Sequence, residues 1–384
     1  MKKLLSVSLI LLALGSMAFA DDAKVMPMMV GRIYFAPTFA FAVGAYDEDG
    51  SYKSLGDGEG SLKALNLGFA LEYGVIDWIT AALQWAPGWT VWSDVDKKVP
   101  FGLNATGQQA FSDSSVNGNG PADIFLGAKI QIIGEKAPVK STMFRFAVGP
   151  GVKIPLPATD MKEQLENAAD GDAVTAANGD YHVLGTGLRV YFDYIINEHF
   201  FINLYNETLF YPIKGDLRNA NYAEYAPIVI AGQGARLKAQ MGGTPIPATL
   251  NIEPEVEVNY GYDLTFEAEG VYTTSIAQGI SLTAGLPVNY KFTPGHKYSV
   301  DWDITGTALD ASLKTAYEPY LEDQDPTHLL TVKPNVSVFI TKTPMPLEFK
   351  LTYTAPVWGK NIEQAKHSVS LQARLYFALP GRPQ

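Results

Sequence analysis

The chain contains no cysteine. That excludes a disulfide framework, Cys-ligated zinc, iron–sulfur clusters, thiol catalysis and a lipid anchor on a cysteine behind a signal. Positive charge is also scarce. Lys and Arg number 29 against 40 Asp and Glu, a formal charge of −11. No basic face is available to neutralise phosphates, which excludes a nucleic-acid partner. Long apolar runs are absent beyond the N-terminus, so a helical membrane protein is excluded. The 5 histidines form no H-x-x-x-H or H-E-x-x-H spacing, and no G-x-S-x-G occurs. No cofactor, metal site or enzymatic activity is expected.

Aromatics are abundant at 12%, with 20 Tyr and 19 Phe beside 35 Gly and 24 Pro. The first segment, residues 1–20, reads as an export signal. Lys2 and Lys3 form its positive region, Leu4 to Leu14 its apolar stretch, and Ala18-Phe19-Ala20 its cleavage site. Excluding it leaves residues 21–29 as a short periplasmic N-terminal segment, 30–378 as the folded unit and 379–384 as a tail.

Alternation with period two runs through the rest. Ile33, Phe35, Pro37, Phe39 and Phe41 alternate with Arg32, Tyr34, Ala36, Thr38 and Ala40. Leu188, Val190, Phe192 and Tyr194 alternate with Arg189, Tyr191 and Asp193, and Val369, Leu371 and Ala373 with Ser370, Gln372 and Arg374. Such alternation marks strands whose two faces meet different environments. About twelve strands of ten to fourteen residues are expected, long enough to cross a bilayer at a tilt. Connections alternate strictly. Short ones fall near 74–78, 134–140, 196–199 and 341–346, and long ones near 44–61, 93–120, 155–180, 212–248 and 294–327. Tight periplasmic turns with long external loops are the rule of outer-membrane barrels. The fold expected is therefore all-β, an antiparallel transmembrane β-barrel of about 12–14 strands. Residues 252–259 count as one strand. Residues 262–277 fit no tight turn and either extend their neighbours or add a hairpin.

Apolar residues facing lipid put the alternate set inside. Candidate lumen residues are Arg145, Arg189, Arg374, Lys333 and Lys350, with Glu253, Glu255 and Glu257. Three carboxylates on one strand face repel unless cations meet them across the ladder. They fit either a salt-bridge network or a cation-selective constriction. In the loops, residues 159–169 read as a short helix capped by Thr159. Ile228, Val229 and Ile230 form an apolar patch, a candidate for solute capture or for packing inside the loop cluster.

One unit recurs: strand, tight turn with Asp or Glu, strand ending in Pro and aromatics. It occurs at LGFALEYGVIDWITAALQWAPGW (67–89), LRVYFDYIINEHFFINLYNETLFYP (188–212) and VSVFITKTPMPLEFKLTYTAPVWG (336–359). This resembles the outer-membrane hydrophobic-compound transporters of the long-chain fatty-acid (FadL) type, and most of all their divergent spirochaetal (treponemal) relatives. The resemblance implies a fourteen-strand barrel, a lumen plugged by an N-terminal hatch, detergent-like ligands and lateral release through a kinked strand. Only the residues from Asp21 to Val30 precede the first strand here, and the N-P-A-containing hatch is missing. No family binding residue is carried over.

The expected place is the bacterial outer membrane. The expected partners are outer-membrane lipids, the barrel-assembly machinery during biogenesis and a small hydrophobic solute such as a long-chain fatty acid, taken up passively. A general diffusion porin for polar solutes and a surface-exposed structural or adhesion barrel are the alternatives.

Overall fold

A β-strand with one apolar and one polar face is stable only if both faces find their own surroundings. In the computed structural model the alternating segments meet this demand by closing on one another. The structure describes residues 22–378 except 57–58, 98, 104–108, 113–115, 119, 157–173, 177–180, 218–221 and 248. The expected signal at 1–20, the helix at 159–169 and the tail at 379–384 fall outside the described residues.

Among the described residues, twelve long strands build the wall. They are β1 (Val30–Ala42), β2 (Glu59–Ile76), β3 (Ile79–Lys97), β4 (Ile124–Gly134), β5 (Phe144–Ile154) and β6 (Gly185–Ile195). Then come β7 (Phe200–Phe210), β8 (Tyr262–Ala277), β9 (Ile280–Thr293), β10 (Thr327–Val332 and Asn335–Ile340), β11 (Leu347–Lys360) and β12 (Lys366–Ala378). Each pairs antiparallel with its neighbours in sequence, and β1 pairs with β12 from Val30↔Ala378 to Ala42↔Lys366. Closure leaves no free edge, the condition for strands to sit in lipid.

The two faces of β1 show the sorting. Phe35 and Phe39 are 46% and 41% exposed, whereas Tyr34, Ala36 and Thr38 between them are buried. Leu188, Leu204, Phe266, Leu286, Leu351 and Leu371 continue the outward apolar belt around the wall. So large an exposed apolar surface suits a bilayer rather than water.

One assignment is corrected. Residues 252–259 are not part of the wall. Val256–Asn259 pairs with Gly215–Asp216 and Lys297–Val300 in a small sheet outside the barrel. The twelfth wall strand is 262–277, here β8. Alternation reports that one face is buried but not whether the other meets lipid or water, so a half-buried loop sheet carries the same signature.

That small sheet belongs to an external cap with helices α1 (Tyr222–Met241) and α2 (Asp310–Tyr317). Its core gathers Leu217, Ile228, Ile252, Val258, Leu313 and Tyr317. The Tyr317 hydroxyl donates to the Ile252 carbonyl. Gly232 on α1 makes this approach possible, because a Cβ there would lie 2.2 Å from the Tyr317 hydroxyl.

Candidate functional site

The lumen is lined by charged side chains in pairs. Arg32 on β1 meets Glu72 on β2 at 2.5 Å, and Tyr34 donates to the same carboxylate at 3.0 Å. Arg374 on β12 meets Glu348 on β11 at 3.1 Å, with the Tyr376 hydroxyl donating at 2.7 Å. Arg145 on β5 lies 2.9 Å from Asp193 on β6. Arg189 on β6 pairs with Glu207 on β7. Lys333, in the break of β10, reaches Glu267 on β8 at 3.0 Å, and Asn289 of the intervening β9 donates to that carboxylate at 3.1 Å. Lys350 on β11 lies within electrostatic range of Glu269 on β8. A charge out of bulk water needs a partner, and cross-strand neighbours supply one at the spacing of the ladder.

Arg145, Arg189, Arg374, Lys333 and Lys350 thus lie on the inner face. Glu253, Glu255 and Glu257 do not. Glu257 stands in the external sheet and binds Lys214 at 2.6 Å, outside the barrel. Lys214 and the Ser299 hydroxyl hold its carboxyl below the usual range. Glu253 accepts the Tyr225 hydroxyl at 3.2 Å in the cap, and Glu255 is exposed. The reason is that their segment leaves the wall: its inward valines enter the cap core, and its glutamates lie on the cap rather than in the lumen. Ile228, Val229 and Ile230 are buried on α1, Ile228 and Val229 inside that same core, and present no open apolar surface.

The inner-face acids that replace them are Asp263, Glu267 and Glu269 on β8. Their signal was present in the sequence: they alternate with Leu264, Phe266 and Ala268. Asp263 accepts the Thr293 hydroxyl at 2.7 Å and those of Tyr181 and Tyr211 at 3.3 Å, under the cap.

Residues 22–29 run inside the barrel at the end bearing the short turns. The Ala23 N–H donates to Asp193 at 3.1 Å, and the Ala23 carbonyl accepts from Gln131 on β4 at 2.7 Å. Lys129 donates to the Asp22 carbonyl at 2.8 Å, and the Met26 N–H donates to the Thr80 hydroxyl at 2.7 Å. Three different strands therefore hold an extended segment whose own sequence has no periodicity.

Beside this segment lies a small, partly open cavity of about 20 Å³, room for about one water. Lys24, Glu72, Gln84, Phe125, Lys129 and Arg189 line it. The Arg189 guanidinium stacks over the Phe125 ring at 3.8 Å, and Lys129 lies 4.1 Å over the Tyr191 ring. Phe125 can lie flat on the wall because glycines face it: a Cβ on Gly151 would come within 2.2 Å of the ring.

A closed antiparallel barrel with an apolar outer belt and a charge-lined interior defines the class: this is a bacterial outer-membrane β-barrel. The fold of the COG4313 outer membrane channel from Pseudomonas putida F1 matches it with a TM-score of 0.53, at 12% identity, over 94% of this chain and 100% of that one. The β domain of the Bordetella autotransporter BrkA gives 0.40 at 11% identity, covering 90% of this chain and 100% of its own. The CymD monoaromatic hydrocarbon channel gives 0.36 at 10% identity, covering 92% and 89%. These likenesses concern the fold alone. No protein-family model matches the sequence, and no curated protein sequence does.

Proposed function

We propose that the protein is a narrow outer-membrane channel that passes small polar or charged solutes down their gradient through the lumen. The observation that carries this reading is the belt of cross-strand ion pairs facing inward from β1, β2, β5, β6, β7, β8, the break of β10, β11 and β12. A twelve-strand wall lies between barrels that fill completely and those that leave a wide channel. The paired charges leave a passage suited to small solutes that exchange hydration for side-chain contacts. Uptake of a hydrophobic solute has less support, since Ile228, Val229 and Ile230 are enclosed in the cap.

Single-channel conductance of the refolded chain in a planar bilayer tests the reading. Small ohmic steps with a permeability preference between anions and cations are expected. Silence from demonstrably inserted protein overturns it.

A further inference from the structure

The outward face of the wall is apolar over most of its area, and its few cationic groups are not scattered. Among the described side chains, the outer faces of β4 to β9 carry no Lys, Arg or His. The adjoining stretch from β10 through β11, β12 and β1 to β2 carries His328, Lys360, His367 and Lys63. Register puts them on one face, near the external strand ends. His328 lies opposite Lys360, and Phe41 lies opposite both His367 and Lys63. Lys63 and Lys360 are exposed, and the two histidines are half-buried. Asp94 stands opposite Lys63 on β3, and Glu322, Asp323 and Asp325 precede β10. Among the described residues, none of these acids forms an ion pair with the four groups.

The two histidines repeat one arrangement. The Tyr290 hydroxyl on β9 donates to His328 Nδ1 at 2.7 Å, and the Tyr353 hydroxyl on β11 donates to His367 Nδ1 at 2.9 Å. With Nδ1 accepting, Nε2 carries the proton and serves as a donor. Phe41 stacks on His367 with ring centres 5.1 Å apart, and the Trp358 ring lies 6.3 Å from His328. Each imidazole is thus held by a hydrogen bond and by aromatic neighbours. Toward the middle of the membrane the same strands expose Phe39, Leu351, Val369 and Leu371.

We propose that this patch is a docking site for the phosphate-bearing headgroup of an anionic outer-leaflet lipid. A chain of formal charge −11 repels such a headgroup in general, so a cationic patch at headgroup level decides where it settles. Lys63 and Lys360 supply charge, and the Nε2–H groups of His328 and His367 supply directed donors to phosphate oxygens. The apolar residues below cover the acyl chains. A zwitterionic lipid gains the apolar contact, but its own ammonium offsets the attraction. A free phosphate gains the attraction without the apolar contact. The site lies on the outer wall and does not depend on what crosses the lumen.

Native mass spectrometry of the full detergent-extracted chain, titrated with phosphatidylglycerol or with phosphatidylcholine of equal acyl length, tests this. Phosphatidylglycerol should be retained about tenfold more tightly, the contribution of one charge-assisted hydrogen bond. K63Q combined with K360Q should remove most of that preference. H328F combined with H367F, which keeps a ring at each position but no donor, should do the same. K214Q, an exposed lysine of the cap, should leave the preference unchanged. Inorganic phosphate at the lipid's concentration should displace nothing. Heat-modifiable gel migration confirms that each variant is folded. Equal retention of the two lipids, an unchanged preference in either folded double variant, an equal loss in K214Q, or displacement by inorganic phosphate would each overturn the site.

Discussion

Asp193 on β6 accepts the backbone N–H of Ala23 at 3.1 Å, joining the lumen wall to a residue 170 positions earlier in the chain. The same carboxylate lies 2.9 Å from Arg145 and accepts from Asn203 at 2.8 Å. One buried acid thus serves the wall and the inserted segment together. Asp193→Asn should keep the side chain's shape and weaken its grip on Ala23. A charge-assisted hydrogen bond contributes about 2 kcal/mol, so the segment's released population should rise roughly thirtyfold. Amide hydrogen exchange at Ala23 and Met26 reads this directly. Unchanged protection there would show that Gln131, Lys129 and Thr80 hold the segment by themselves.

The Lys333–Glu267 pair spans β9 and is almost wholly buried, at 6% and 1% side-chain exposure. Removing one partner of such a pair leaves an uncompensated charge and costs about 3–5 kcal/mol. Glu267→Leu should lower the urea midpoint of the barrel in vesicles accordingly. Combining it with Lys333→Met should restore most of the loss, because two apolar groups leave no stranded charge. A double variant as unstable as the single one would mean that Asn289, rather than the charge pair, organises this part of the lumen.

Glu253, Glu255 and Glu257 lie in the external cap, not in the lumen. Their charges are screened within about 8–10 Å at physiological salt. Replacing all three by Gln should therefore leave the reversal potential in a salt gradient unchanged, while Glu269→Gln should shift it toward anions. A large shift from the cap variant would place these glutamates on the ion path.

His296 gives the cap a pH dependence. It is buried against Tyr181 and Tyr260, with Asp263 and Lys291 nearby, and burial pushes its pKa down to about 4. In an unfolded segment it titrates near ~6.5. The packed state therefore holds its full stability above that value, and loses it as pH falls toward 4, where the unfolded segment binds the proton first. Over that window the loss is about 3 kcal/mol. Protection of α1 amides should fall between pH 6.5 and 4, and His296→Gln should flatten the trend. Equal slopes in the two proteins would assign the acid lability to another group.

Much of the wall was legible because alternation is a local property. Phe35 and Phe39 opposite Tyr34 and Thr38 identify a strand and its two faces without knowledge of its neighbours. The rhythm of short and long connections then fixes a barrel with its tight turns at one end. Arg145, Arg189 and Arg374 follow as inner-face residues from their parity in the strand.

What tertiary structure decided is where two equally alternating segments went, and what entered the lumen. Residues 252–259 and 262–277 carry the same period. Only the pairing of Val256–Asn259 with Lys297–Val300, and of β8 with β7 and β9, separates cap from wall. The patch at Ile228–Ile230 leaves solute capture and packing inside the loop cluster both open until the cap core encloses Ile228 and Val229. Residues 22–29 have no periodicity at all, since an extended segment held by Asp193, Gln131 and Thr80 takes its conformation from three distant strands. A sequence encodes the faces of its strands locally, but the partners of a buried charge or a threaded segment exist only once the barrel has closed.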